Sequence, residues 1–499
     1  MNKEALIKEI SSLNEKIKLE TNNSELLGQR GIVLFQLGKF EDSLMDLNKA
    51  IEGGSQNGLF YFYRANCKVK LSKYADAIED FVEYEIENNG NNGIGYIEDY
   101  KSAFSKTTLS QLAYSHGEKI IVKHYGPIQE IEIEIKPITV IIGSTGSGKS
   151  TIIKLLHVFR NLIINSELNT EKFKEAIIDK FKMPEPIAET FIRFELGAFF
   201  IEYTEGVLNS NISNDFYNEW NKLKELSEKK LKIKDKFPLI KTLFDEAVLN
   251  IHTPLYVPVE RTFTATFSNY LASFQRSKIP IADFILQFLE SFSFARDGVK
   301  TLDLPFLNST YRLKNNVDII EHNDKDKTAI GLDIASSGFQ AIVPLLLIFE
   351  HFSKEKDPFS YCFEIEEPEL NLFPSIQKII IEQILSKAKN NNCRLIVATH
   401  SPYILTAINN LLFATRVVNT DAGNKEAVND IIPSEFHINP DDFAAYSLGN
   451  TLIADTPYCE DIFNPKTGTI KQNYLDTVSD ILGRDFNNLY ALHSKSLRK

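Results

Sequence analysis

Apolar positions along this chain change period near residue 118. Leu6, Ile10, Leu13 and Ile17 recur at spacings of three and four, which predicts an amphipathic helix over residues 1–20. Helical spacing continues to about residue 112, and the pattern repeats itself. Adding 34 to Leu37, Gly38, Phe40, Asp42, Ser43, Asp46, Leu47 and Ala50 gives Leu71, Ser72, Tyr74, Asp76, Ala77, Asp80, Phe81 and Tyr84, and Gly31 maps to Ala65. Small residues at Gly31/Ala65 and Ser43/Ala77 let paired helices approach, and Phe40/Tyr74 fill the gap between them. Two repeats alone leave open ends, so the first helix and residues 96–111 are expected to act as caps.

After the turn-rich Asn88–Gly93 the pattern shortens to that of strands. Lys119–Lys123 and Ile131–Ile135 read as strands joined at His124–Pro127, and they lead into Ile138–Ile142. Residues 160–190 read as mostly helical and Phe191–Tyr203 as strand. Asn218–Lys241 reads as a charged helix carrying Lys222, Lys224, Lys229, Lys230, Lys232, Lys234, Lys236 and Lys241. From Leu255 to Phe413 strands and helices alternate. The expected fold is α/β, a mixed sheet flanked by helices, behind an N-terminal all-α domain. Expected boundaries are 1–112 for the helices, 118–420 for the α/β domain with a short helical insertion at about 206–250, and 421–499 for a mixed extension without a motif.

Composition narrows the function. The net charge of −12 over 499 residues leaves nucleic-acid contact to a local patch. Cys67, Cys362, Cys393 and Cys459 are scattered, as free thiols of a reducing compartment are. A polar N-terminus and the lack of apolar runs near 20 residues predict a cytoplasmic protein with no membrane span.

The chemistry begins at Gly143-Ser144-Thr145-Gly146-Ser147-Gly148-Lys149-Ser150-Thr151, which fits G-x-x-x-x-G-K-[ST] between a strand and the helical run Ile152–Phe159. Glycines let backbone N–H groups face phosphate, and the helix start adds partial positive charge. Lys149 is placed to reach β- and γ-phosphates, and Ser150 to ligate Mg²⁺. A second run, Tyr361–Glu366, delivers Glu366 and Glu367 at a strand end. The first carboxylate suits the metal and the second the attacking water. Glu364 on the same face reads as a salt-bridge partner. A third strand, Leu395–Thr399, ends in His400, where an imidazole can bond a γ-phosphate oxygen. Ser336-Ser337-Gly338 precedes the helix Ala341–Phe352 and is either a second anion site or a plain cap.

Together these segments resemble the ABC-type ATPase heads related to SMC and DNA-repair ATPases, over about residues 118–420. Bacterial defence ATPases of the overcoming-lysogenization-defect (OLD), Septu and PARIS types look most similar. The 34-residue period resembles the tetratricopeptide repeat. The resemblance implies ATP and Mg²⁺ as cofactors, with Gly143–Thr151 as Walker A, Ser336–Gly338 as signature and Glu366 as Walker B. It makes Glu367 the catalytic glutamate, His400 the switch histidine, and Lys149 part of the catalytic set. Leu372-Phe373-Pro374 falls at the D-loop. Tyr256–Arg261 resembles a Pro-Ala-Glu-Arg-type segment near the Q-loop role, or a salt-bridged strand end. Tyr125 is an adenine neighbour or a core residue. Walker B usually carries Asp where Glu366 stands, and Ala335 and Ser337 replace the common Leu and Gly.

In such ATPases the signature of one subunit completes the site of another, which implies a homo-oligomer with ATP sandwiched between heads. OLD proteins carry a fused nuclease, for which the residues after Thr420 look too few. The expectation is a defence ATPase acting with a separate effector, possibly a nuclease, docked on the repeats. The alternative is a DNA-repair or recombination ATPase that binds DNA directly. The lysine-rich helix is either a local phosphate contact or a solvated face.

Overall fold

In the N-terminal helices each Arg is tied to the same partners one repeat apart. The computed structural model describes residues 3–20, 23–87, 95–107, 117–230, 252–267, 281–324, 328–354, 360–449, 457–471 and 483–490. Helices α1 (Lys3–Leu19), α2 (Ser24–Gln36), α3 (Phe40–Glu52), α4 (Gly58–Lys70), α5 (Tyr74–Glu87) and α6 (Gly95–Phe104) follow one another. Arg30 on α2 forks onto Asp46 at 2.6 and 2.8 Å and donates to Asn14 at 2.8 Å. Arg64 on α4 does the same to Asp80 at 3.0 and 2.6 Å, and to Asn48 at 3.2 Å. Every member lies 34 residues beyond its counterpart, so the period is one of buried polar clamps as well as of apolar packing. Gly31 is required at its crossing, because a Cβ there would come within 2.8 Å of Leu47.

The α/β part starts with β1 (Glu118–Tyr125), β2 (Ile128–Ile135) and β3 (Ile138–Gly143), and the helix α7 (Lys149–Ile164). The 160–190 stretch is less helical than its composition suggests. After α7 it contains a short helix, Thr170–Lys174, and a π-helical turn, Glu175–Lys180. The expected strand Phe191–Tyr203 is a hairpin, β4 (Phe191–Leu196) and β5 (Phe199–Thr204), because Gly197 takes a left-handed turn. Strand β6 (Val207–Ser210) completes an antiparallel sheet ordered β2-β1-β4-β5-β6. Helix α8 begins at Asn214 and is described to Lys230, so Lys232, Lys234, Lys236 and Lys241 lie outside the described residues.

Next come β7 (Thr253–Val257), α9 (Asp283–Val299) and a small antiparallel sheet: β8 (Thr301–Leu304), β9 (Ser309–Lys314), β10 (Val317–His322) and β11 (Ala329–Gly331). Helix α10 (Ser337–Phe352), β12 (Tyr361–Glu366), α11 (Pro374–Asn390), β13 (Arg394–Thr399) and α12 (Pro402–Thr420) follow. The segment after 420 is not a separate extension. It supplies β14 (Phe443–Leu448) and β15 (Cys459–Asp461) to a central sheet ordered β15-β14-β3-β13-β12-β7. This sheet is parallel except for β15, and β14 sits directly beside β3. A strand without apolar–polar alternation is what a sheet buried on both faces selects, and β14 is buried at every position, Ser447 included. The boundary expected at 420 therefore cuts through one sheet.

Period 2 divides the core. Cys362, Ile396 and Ala398 join the cluster on the α7 side, while Phe363, Ile365, Leu395 and Val397 face the α10–α11 side. The α7-side cluster also holds Phe81, Tyr100 and Phe104 of the helices.

Replacing Arg30 by Ala strands Asp46, which is buried and has no other ion-pair partner among the described residues. We expect a loss of roughly 2 kcal/mol in urea unfolding. Arg64→Ala should cost less, because Lys68 remains 2.8 Å from Asp80. Equal costs would show that the clamps do not bear on stability as described.

Candidate functional site

The phosphate loop is shaped by glycine where the backbone needs it. Gly146 and Gly148 have φ of +79° and +89°, a region that L side chains avoid. A Cβ on Gly143 would lie 2.3 Å from the Leu448 carbonyl oxygen of β14. Gly148 caps α7, so Lys149 is its first residue. The loop is also held from the C-terminal side: Ser144 Oγ donates to Gly449 O at 3.0 Å, and the Tyr458 hydroxyl lies 2.7 Å from Ser147 O. Ser144, Thr145 and Gly146 are exposed at the tip, Ser147 Oγ is buried without a partner among the described residues, and Ser150 and Thr151 lie in the first turn on the accessible side.

Lys149 is buried. Its ammonium donates to Gly143 O and Ser144 O at 2.9 Å each and lies 3.4 Å from His400 Nδ1. Burial lowers its pKa to about 8, against the opposing pull of Glu367, Glu369 and Glu366. On the other side of the imidazole, His400 Nε2 stands 3.2 Å from Glu367 Oε1. Lys149, His400 and Glu367 thus form one row, although they come from three separate segments.

Glu366 closes β12, 3% exposed, and its Oε1 has no hydrogen-bond partner among the described residues. Burial raises its pKa, while the nearby Lys154 ammonium and the Ser150 and Tyr256 hydroxyls oppose the rise. The longer side chain found here in place of Asp still brings its carboxylate to Ser150. A buried carboxylate with an unspent oxygen beside an exposed hydroxyl fits a divalent cation, which would supply the missing partner and favour the ionised form. Glu367 differs. It is partly exposed and has φ +45°, and its N–H still pairs with Ala398 O at 2.8 Å. The positive φ turns its side chain out of the strand and toward His400.

Two residues gain roles that the sequence reading did not give them. Glu369 Oε1 accepts from Thr399 Oγ1 and from the His400 N–H, both at 2.7 Å, and so fixes the histidine turn. Arg261 is fully buried and donates to carbonyls of Pro258, Ala341, Glu366 and Glu367. Among the described residues it bonds to carbonyls and not, as one expectation for Tyr256–Arg261 had it, in a salt bridge. Glu364 is the expected ion-pair residue, bonded to Arg160 and His157. Tyr125 is core: its ring is buried and its hydroxyl donates to Pro184 O at 3.0 Å.

Ser336 is the N-cap residue of α10 but makes no side-chain cap bond, and Ser337 begins the helix. Both are exposed. A Cβ on Gly338 would meet Asn371 O at 3.2 Å, so this segment rests on the Asn371–Leu372 turn. Among the described residues no hydrogen bond joins Ser336–Gly338 to the phosphate loop.

The fold and this constellation define an ATP-hydrolysing enzyme of the P-loop class. Residues 290–405 match the AAA ATPase domain family, a range that holds Ser336–Gly338, Glu366, Glu367 and His400. A stretch of 64 residues is 34% identical to the DnaJ homolog subfamily C member 7 homolog of Dictyostelium discoideum, covering 13% of this chain. This chain spans 12% of that relative's length. The SMC head domain from Thermotoga maritima is similar at 18% identity, over 58% of this chain and 92% of that one, with a TM-score of 0.29.

The lysine gives a pH prediction. In the free protein Lys149 is about half protonated near pH 8. Phosphate favours its charged form, so Mg²⁺-free ATP binding at pH 8 should take up about half a proton. Uptake should fade toward pH 6.5, and affinity should fall as pH rises above 8. Calorimetry in buffers of different ionisation enthalpy measures this, and proton release at pH 8 would contradict it.

Proposed function

We propose that this chain is an ABC-type ATPase whose heads pair with ATP between them, serving as the sensor or regulatory subunit of a bacterial anti-phage system with a separate effector such as a nuclease. The observation that carries the paired reading is the division of the site. Lys149, Ser150, Glu366, Glu367 and His400 converge within one chain, while Ser336 and Ser337 hold unused hydroxyls in solvent at the start of α10. Ile334 and Phe373, each 76% exposed, flank that segment and would be covered by a second copy.

In this reading Mg²⁺-ATP brings the electrophilic γ-phosphorus. Lys149 leaves the loop carbonyls for the β- and γ-phosphate oxygens. Ser150 and Glu366 would hold the cation, and Glu367 takes the proton of the water that attacks the γ-phosphorus while the bond to the β,γ-bridging oxygen breaks and ADP leaves. His400, released from Glu367, bonds a γ-phosphate oxygen. Moving the heads from 1:99 to 99:1 closed takes about 5.5 kcal/mol, which two shared nucleotides divide.

The helical repeat belongs to the same proposal. We read it as tetratricopeptide-like, its exposed surface being where the effector docks. The cytoplasmic assignment is also part of this reading. Among the described residues no helix is long and apolar enough to cross a membrane. The DNA-repair reading is the alternative, with the lysine-rich segment Asn218–Lys241 as the local phosphate contact, and a salt-dependent DNA affinity at physiological ionic strength would support it.

Glu367→Gln should lower kcat about 100-fold or more while ATP still binds, and should leave an ATP-dependent dimer or larger assembly on a sizing column. Lys149→Ala should weaken ATP binding in the same assay. Wild-type turnover in Glu367→Gln, or a protein that stays monomeric with ATP, would reject the catalytic or the paired part respectively.

A further inference from the structure

Arg261 stands at the end of β7, in the 3₁₀ turn Val259–Phe263, and is 0% exposed. An arginine this deep ordinarily has a carboxylate across from its fork, since an unpaired buried charge is costly. Here, among the described residues, every hydrogen bond goes to main-chain oxygen. Nη1 donates to Pro258 O at 3.0 Å and Glu366 O at 2.7 Å, Nη2 to Glu367 O, and Nε to Ala341 O at 3.0 Å. The carbonyls come from three places: its own turn, the catalytic strand end, and the second turn of α10.

Two of these attachments bear on the chemistry. Glu367 holds a left-handed backbone, which costs a residue with a Cβ about 1–2 kcal/mol. The guanidinium binds the carbonyls on both sides of that φ angle and keeps the bend in place. The bend is what sets the Glu367 carboxylate 3.2 Å from His400. The Ala341 attachment joins the same cation to the helix that Ser336 caps and Ser337 begins. A planar fork with five donors can serve these carbonyls at once, and a lysine ammonium on a flexible stem cannot.

We infer that Arg261 is a positioning residue that makes the aim of Glu367 depend on where α10 sits, so that docking of a second head on Ser336–Gly338 is relayed to the catalytic turn. This rests on the paired-head reading above. Arg261 itself touches neither nucleotide nor water in this scheme. It acts through the main chain of Glu366 and Glu367.

The test uses the full chain with Arg261→Met and Arg261→Lys, each compared with wild type in ATP affinity, KM, kcat and melting temperature. Folded variants should bind ATP within about threefold of wild type while kcat falls about 100-fold, the scale of a misplaced catalytic group. Arg261→Lys should recover little of the loss, because it returns charge without the fork. The distinguishing readout is specific activity against protein concentration. Wild type should rise with concentration as heads pair, and Arg261→Met should lose that dependence while still assembling with ATP. A flat wild-type curve would overturn the paired-head reading itself. A steep wild-type curve with equal steepness in Arg261→Met, or kcat within about threefold in either variant, would overturn the role of Arg261 alone. Should Met at this depth fail to fold, Arg261→Lys keeps the charge and stem and carries the same comparison.

Discussion

A buried ionic cluster fixes the phosphate loop against the strand that carries Glu364 and Glu366. Arg160 donates to Glu118 of β1 at 2.6 and 3.0 Å and to Glu364 of β12 at 2.5 Å. Arg394 of β13 holds the other Glu118 oxygen at 2.9 Å, and His157 lies 2.6 Å from Glu364. Charges so deep are strongly destabilising when one partner is lost, so the cluster tolerates one arrangement. Arg160 lies about three turns along α7 from Lys149, on the same face. The helix that begins at the phosphate loop is thus pinned at its far end to two sheets. Because β12 alternates, pinning Glu364 toward α7 also points Glu366 there, which is why that carboxylate meets Ser150. A slip of one residue would send both carboxylates into the apolar side.

The phosphate loop, the two acids of β12 and His400 were legible because each combines a local apolar run with a residue type that the run does not need. Lys149 after glycines, Glu366 after a buried strand and His400 after Leu395–Thr399 all break a pattern at its end. The helical repeat was legible for a similar reason, through self-similarity. The clamps within it were present in the sequence too, since Asn14/Asn48 and Arg30/Arg64 share the 34-residue offset. Asp46/Asp80 belong to the repeat as read, but the arginines and asparagines that join them there become visible as clamps only when the polar positions are compared too.

Other parts needed three dimensions. Arg261 bonds to carbonyls, which no side-chain pattern records. Glu369 gains its role from a histidine turn 31 residues away. Strand β14 carries only a short, mostly apolar run, and its pairing with β3 spans about 300 residues, beyond any local signal. The split of Phe191–Tyr203 into a hairpin depended on one glycine, Gly197, whose left-handed turn was missed.

The contact between Gly143 and Leu448 has a consequence for synthesis. Ser144 and Gly449, which hydrogen-bond across this contact, are 305 positions apart. At about 5–20 residues per second, a ribosome needs roughly 15–60 s to make the chain between them. During that interval β3 has a bare edge where β14 belongs, and the loop lacks its strap. The helical repeats, whose clamps close over 16 residues, can fold long before. The nascent chain therefore completes its helical repeats first and its nucleotide site last, so the repeat surface is formed well before the protein can turn over ATP.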